Sequence, residues 1–366
     1  MNHPEFQRGR REEITLPELM AAFKDHPLDF EPGERLQYSN SGYIVLGAII
    51  EKVSRNTYVE FVEERLLHAA GMRSSRADHE RYVIPNRASG YVREGNGFAN
   101  APFVTMTEPH AAGVLVSTVN DLFLWDEALY GGKIISREAL NTAFTPFKLR
   151  DGTQGDAACG WGVSELRGMR AIIHPGGMPG FWGYGLTMPE PRVRVVILSN
   201  GPGRQPGGSN MAAQLAAIAL GKPYEKPKNV RLSERRLDSL TGKYAMPPEP
   251  LDSSGSGQDL EIRRQGARLT LVGLAPRPLE LRPASETEFF VMEWFPVRIV
   301  ITPSAGGPVT EFVLDRPLGP PLKCVRIESG SGESWAGSRF RDVHESEEDR
   351  RGVEDPVQKL ELPAAA

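Results

Sequence analysis

The chain has 366 residues, of which 40% are hydrophobic, and its 43 Lys and Arg against 47 Asp and Glu leave a net charge near −4. Those charges are interspersed, so no phosphate-backbone footprint and no basic membrane-attracting face is built, and nucleic acid is excluded as a partner on this reading. The two cysteines, Cys159 and Cys324, have no Cys or His neighbour at zinc-ligand spacing, so neither a disulfide framework, a metal nor any other cofactor is implied. No stretch reaches the ~20 apolar residues of a membrane span, and the opening MNHPEFQRGRREE lacks the apolar core of a signal peptide.

The first periodic segment is TLPELMAAF, where Thr15 and Glu18 have capping-box spacing and Leu16, Leu19, Met20 and Phe23 form one face, which predicts a short amphipathic helix. After the turn EPGE comes YSNSGYIVLGAIIEKV, whose apolar run from Tyr43 to Val53 is too continuous for a solvent-facing helix and predicts a buried one. A helix over Thr57 to Ala70 follows, stopped by Gly71, and residues 72–112 read as mixed and loop-rich. Thr118 to Tyr130 forms another capped helix, with Leu122, Trp125 and Leu129 inward.

From Met169 the period changes to two, and MRAIIH, FWGYGLTM and VRVVILSN, separated by PGGMPG and PEPR, predict three consecutive antiparallel strands. An alanine-rich helix, Ser209 to Leu220, precedes the linker-like KPYEKPKN. Beyond it the pairs Leu260 and Ile262, Leu269 and Leu271, Leu279 and Leu281, Phe289 and Val291, Ile299 and Ile301, and Phe312 and Leu314 keep a strict alternation, which predicts a small all-β, barrel-like module. The polar run from Ser329 onward reads as a disordered tail. The expected organisation is therefore 1–228, 229–328 and 329–366.

Two motifs carry a resemblance. Tyr38-Ser39-Asn40 opens the apolar helix, and His174-Pro175-Gly176-Gly177 closes the first of the three strands. With the longer strings STVNDLFLWDEALYGGKIIS and VVILSNG, residues 1–221 resemble the penicillin-binding-protein and class C β-lactamase group of serine hydrolases, and the β-module is similar to those appended to D-aminopeptidase-like members. The resemblance implies an α/β fold, a mainly antiparallel sheet with helices on both faces, and a cleft beside the strand edge that ends in H-x-G. It also implies a small-molecule or peptide substrate.

Acyl transfer needs a nucleophile, a base and donors aimed at the oxyanion. By resemblance Tyr38 is the base, which requires a phenol pKa below the ordinary ~10. Asn40 would hold the acyl amide, His174 would supply positive charge or a donor, the Gly177 N–H would bind the oxyanion, and Gly176 would keep the edge clear. Taken singly, Tyr38 reads as a packing tyrosine, Asn40 as a helix cap, His174 as a satisfied strand-end histidine and the glycines as turn formers.

The sequence departs from the family at two places. The S-x-x-K motif that carries the nucleophilic serine and its lysine is missing: no lysine has a serine three positions before it, Thr145-Pro146-Phe147-Lys148 is an unconvincing mimic, and Ser39 has no lysine along its helical face. Only 37 residues precede Tyr38, so the chain is expected to start downstream of the nucleophile, with a sheet incomplete at its N-terminal end. Pro175 stands where relatives carry a hydroxyl that contacts a substrate carboxylate, and it removes a backbone donor from the strand. The expected function is a β-lactamase-related serine hydrolase inactive alone; the alternative is a pseudoenzyme or ligand-binding scaffold that keeps the cleft.

Overall fold

The computed structural model describes residues 12–201, 207–247, 258–275, 277–302 and 307–327. In chain order the helices are α1 (Leu16–Ala21), α2 (Asn40–Ser54), α3 (Tyr58–Val62), α4 (His68–Ala70), α5 (Val119–Tyr130), α6 (Arg137–Ala143), α7 (Gly207–Ala219) and α8 (Glu234–Leu240). A π-helical turn, Glu63–Leu67, fuses α3 to α4, and Gly71 at φ 81° stops the helix, as its sequence position predicts. The capping box at Thr15 and Glu18 forms at the start of α1.

Strands β1 (Arg76–Ala77) and β4 (Leu115–Val116) pair with each other, and β2 (Tyr91–Glu94) and β3 (Gly97–Asn100) make a hairpin. The main sheet is antiparallel and four-stranded in the order β5 (Gly162–Leu166), β6 (Met169–Met178), β7 (Phe181–Met188), β8 (Val193–Ser199). Alternation along β6 sends Ala171 to one face and Ile172 to the other. Ala171, with Tyr184, Leu186 and Val195, packs against Ala212, Ala213 and Ala216 of α7, whose small side chains let the helix lie close to the sheet. Ile172 packs against Leu129 of α5 and Leu140 and Phe144 beside α6. Helices thus cover both faces, as expected for the α/β class.

Two parts of this unit differ from the sequence expectation. The segment Pro175 to Met178 reads as a turn, yet it continues β6, pairing from Pro175↔Tyr184 to Met178↔Phe181. A proline is tolerated there because β5 pairing ends at Gly162↔Ile173, so the remainder of β6 has an open edge. The expected burial of α2 is also overturned: of its residues only Ile44 and Gly47 are buried, while Leu46, Ile49 and Val53 are exposed. The closest contact is at Gly47, which lets His110 and Ala111 approach so closely that an added Cβ would lie 2.6 Å from Ala111. The strained His110, at φ 42°, holds that contact with its ring 3.4 Å from Glu51 of α2.

The second unit is a closed antiparallel barrel of β9 (Gly242–Met246), β10 (Gln258–Gln265), β11 (Arg268–Val272), β12 (Leu279–Pro283), β13 (Glu288–Val291), β14 (Arg298–Ile301), β15 (Glu311–Asp315) and β16 (Leu322–Arg326), closed by β16 on β9. Every alternating pair named from the sequence points inward around Tyr244, Phe289 and Phe312. Strands β9 and β16, whose Tyr244 and Met246 and Leu322 and Cys324 also alternate inward, and the helix α8, which places Leu237 and Leu240 in the barrel core, are not among the pairs named from the sequence. Barrel and sheet touch through side chains: Asn210 and Gln214 of α7 donate to the carbonyls of Trp294 and Phe295, each at 2.9 Å, and Leu318 enters the core between sheet and α7. The tail expected from Ser329 lies outside the described residues.

Candidate active site

Ser39 is the N-cap of α2, its hydroxyl accepting the Gly42 N–H at 3.0 Å. This leaves the Asn40 amide free of capping duty, and the Tyr38 hydroxyl donates to Asn40 Oδ1 at 3.1 Å. Tyr38 itself is 45% exposed at the mouth of a cleft.

One turn along the helix, Tyr43 reaches the loop that leads into β5. Its hydroxyl lies 2.8 Å from where a Cβ would stand on Gly160, whose φ of 74° suits glycine. Burial raises the Tyr43 pKa, and the nearby Tyr38 and Cys159 raise it further, which places these three side chains in one neighbourhood. The next residue of that loop, Trp161, meets His174 edge-on with ring centroids 6.4 Å apart. Tyr38 and His174 are linked in this way through Tyr43 and the 159–161 loop.

His174 is exposed at the surface of the sheet, with its ring beside Trp161 and partly desolvated by the surrounding chain. Desolvation there pushes its pKa below the ordinary 6.5, with a smaller opposing effect from the Pro175 backbone. The neutral imidazole is therefore favoured at neutral pH, and the group acts as a hydrogen-bonding ring rather than a fixed cation. An added side chain on Gly176 would meet nothing within 4 Å, so a glycine keeps that space open.

A cavity of about 730 Å³ runs along this edge, lined among others by Tyr38, Tyr91, Arg93, Gly176, Gly177 and Trp182. Of the residues singled out in the sequence, Tyr38, Gly176 and Gly177 line it; Asn40 and His174 flank it. Tyr91, Arg93 and Trp182 were not anticipated. For the first two a signal existed: Gly95-Asn96 between two short extended runs marks a two-residue hairpin loop, hidden within the stretch read as loop-rich.

Away from the cleft, Glu13, His79 and Glu80 bring one ligand atom each within 4.8 Å of the others. Those donors are already engaged: Arg81 Nε is 2.8 Å from Glu13, and the Arg81 N–H occupies His79 Nδ1 at 3.1 Å.

The family model named Beta-lactamase matches residues 2–220, and the chain belongs to that family of serine-hydrolase-related proteins. It is 29% identical over 283 residues to penicillin-binding protein 4* of Bacillus subtilis (strain 168), covering 72% of this chain and 60% of that protein. It is 30% identical over 200 residues to the human mitochondrial serine beta-lactamase-like protein LACTB, covering 47% of this chain and 36% of that one. The chain thus spans less than two thirds of each relative's length, 60% and 36%. Among solved structures, the octameric penicillin-binding protein homologue from Pyrococcus abyssi superposes with a TM-score of 0.53 at 24% identity, over 85% of this chain and 70% of that one. A D-amino acid amidase from Ochrobactrum anthropi SV3 reaches 0.52 at 21% identity, over 59% and 67%. Both support the fold.

Proposed function

We propose that the cleft between Tyr38 and the open edge of β6 is the acyl-transfer site of a serine hydrolase acting on a peptide, amide or ester bond. The observation that carries this reading is the meeting of Tyr38, Gly176 and Gly177 in one cavity, with the Tyr38 phenol hydrogen-bonded to Asn40. Tyr38 would take the proton of the attacking serine as the new C–O bond forms, and return it to the leaving atom as the scissile bond breaks. The Gly177 N–H would stabilise the oxyanion, Asn40 would bind the acyl-side amide, and neutral His174 would offer its ring N–H. We take 1–228 as the hydrolase unit and 229–328 as a separate β-module, fixed to it through α7.

Residues 1–366 hold no S-x-x-K, so on this reading the nucleophile would be supplied by polypeptide outside them. Among the described residues β8 has a strand neighbour on one side only, and Leu198 of β8, Leu46 and Ile49 of α2 and Ile218 of α7 are exposed. These positions suit added strands and an apolar helix. Intact mass after incubation with a fluorophosphonate is expected to show no adduct on residues 1–366 alone. An S-x-x-K segment, supplied in cis or as a separate polypeptide, should acquire one adduct on its serine. A stoichiometric adduct on a serine within 1–366 contradicts the reading; ligand binding with no adduct in either arrangement favours a binding scaffold.

A further inference from the structure

The cavity has a one-sided charge. Of the described residues that line it, Arg93 alone carries a formal charge, and the others are glycines, prolines, aromatics, Val92 and Met178. No carboxylate of the described residues pairs with its guanidinium, which lies over the ring of Phe98, its partner across the β2–β3 hairpin, at 5.6 Å. A cleft whose lining carries one cation and no balancing acid suits an anionic group on its ligand.

The placement of Arg93 is built into the fold. Tyr91 and Arg93 are two apart on β2 and so project from one face. The base of the hairpin is tied twice to Asn200, the residue directly after β8, by Tyr91 N–H donating to the Asn200 carbonyl at 3.0 Å and by Asn200 Nδ2 donating to the Ser89 carbonyl at 2.9 Å. It also presses on the β6–β7 turn: a Cβ on Gly90 would lie 2.5 Å from the Phe181 ring, and one on Gly180 would lie 2.4 Å from Ala101. Because those positions are bare, the hairpin sits against the turn and Arg93 overlooks the same strand end that holds Gly176 and Gly177.

We infer that Arg93 is a specificity-determining residue that binds a carboxylate of the substrate, in a cleft where Pro175 offers no hydroxyl for that task. The inference rests on the acyl-transfer reading for the word substrate, but its test needs no bond cleavage. The guanidinium would meet the carboxylate in a two-pronged, charge-assisted contact, with Tyr91 on the same face of β2 beside it.

Titration calorimetry of the full chain with N-acetyl-dialanine, in L and D forms, and with the matching C-terminal amides measures this directly. At least one carboxylate form is expected to bind about 10- to 100-fold more tightly than its amide. Arg93→Met should erase the preference while leaving amide binding unchanged, and Arg93→Lys, which keeps the charge without the planar fork, should fall between. A preference that survives Arg93→Met, equal binding of acid and amide by the unaltered chain, or no binding of any form overturns the inference. Fluorophosphonate labelling is independent of these outcomes, so failure here is distinguishable from failure of the acyl-transfer reading.

Discussion

Desolvation in the middle of β6 holds the His174 pKa below 6.5, and a lowered histidine pKa is also a statement about stability. The unfolded chain binds that proton more readily than the folded one. Stability from the neutral ring is therefore complete above about pH 6.5 and is lost as pH falls through the folded-state value. Urea titrations at pH 7.5 and pH 5 should show a larger loss of stability for the unaltered chain than for His174→Gln; equal losses would contradict the assignment. The H-x-G motif locates this residue in the sequence, but the ring it meets, Trp161, lies thirteen positions earlier on the loop into β5, and no local pattern announces that contact.

Among the elements, α5 and β8 are joined by Arg194, which pairs with Asp126 and donates to the Thr187 hydroxyl at 2.8 Å. Both charged side chains are nearly buried, at 12% and 13% exposure, and burial raises the Asp126 carboxyl pKa against the opposing pull of Arg194. Arg194→Met would strand that carboxylate, and denaturant unfolding should show a loss of about 3–5 kcal/mol; a loss under about 1 kcal/mol would mean the pair is solvated. The sequence makes the helix and strand period plain but not this pairing, since Asp126 and Arg194 are far apart in the chain. The two misread elements have related causes. An apolar run specifies a helix without saying what covers it, so α2 was expected to be buried on all sides. Pro and Gly signal a turn wherever pairing is unknown, so the open-edged end of β6 passed for one.

At the scale of the molecule, six of the eight barrel strands were legible from inward aliphatic or aromatic pairs two residues apart; β9 and β16 carry such pairs too, Tyr244 with Met246 and Leu322 with Cys324, but Pro247 and the Pro320-Pro321 turn beside them gave the stronger local signal. How the barrel sits on the sheet was invisible to periodicity. Leu318, 7% exposed, crosses from the barrel into the core beneath α7, and Gly319 N–H donates to Ser164 Oγ of β5 at 2.8 Å. Leu318→Ala should cost about 2–5 kcal/mol by calorimetry, taken from the sheet unit rather than the barrel. An unchanged sheet transition would show that the two units are only loosely joined.

Of the candidate site, the motif residues could be named from sequence, while Arg93 and Trp182 required the hairpin and strands to be assembled. The role given to Tyr38 is tested most directly by single-turnover acylation, with an S-x-x-K segment supplied to the chain. Tyr38→Phe keeps the ring and loses the proton acceptor, so the acylation rate is expected to fall by about 10²- to 10⁴-fold with ligand affinity little changed. A rate within a few-fold of the unaltered protein would remove Tyr38 from proton transfer and with it the proposed cleft chemistry.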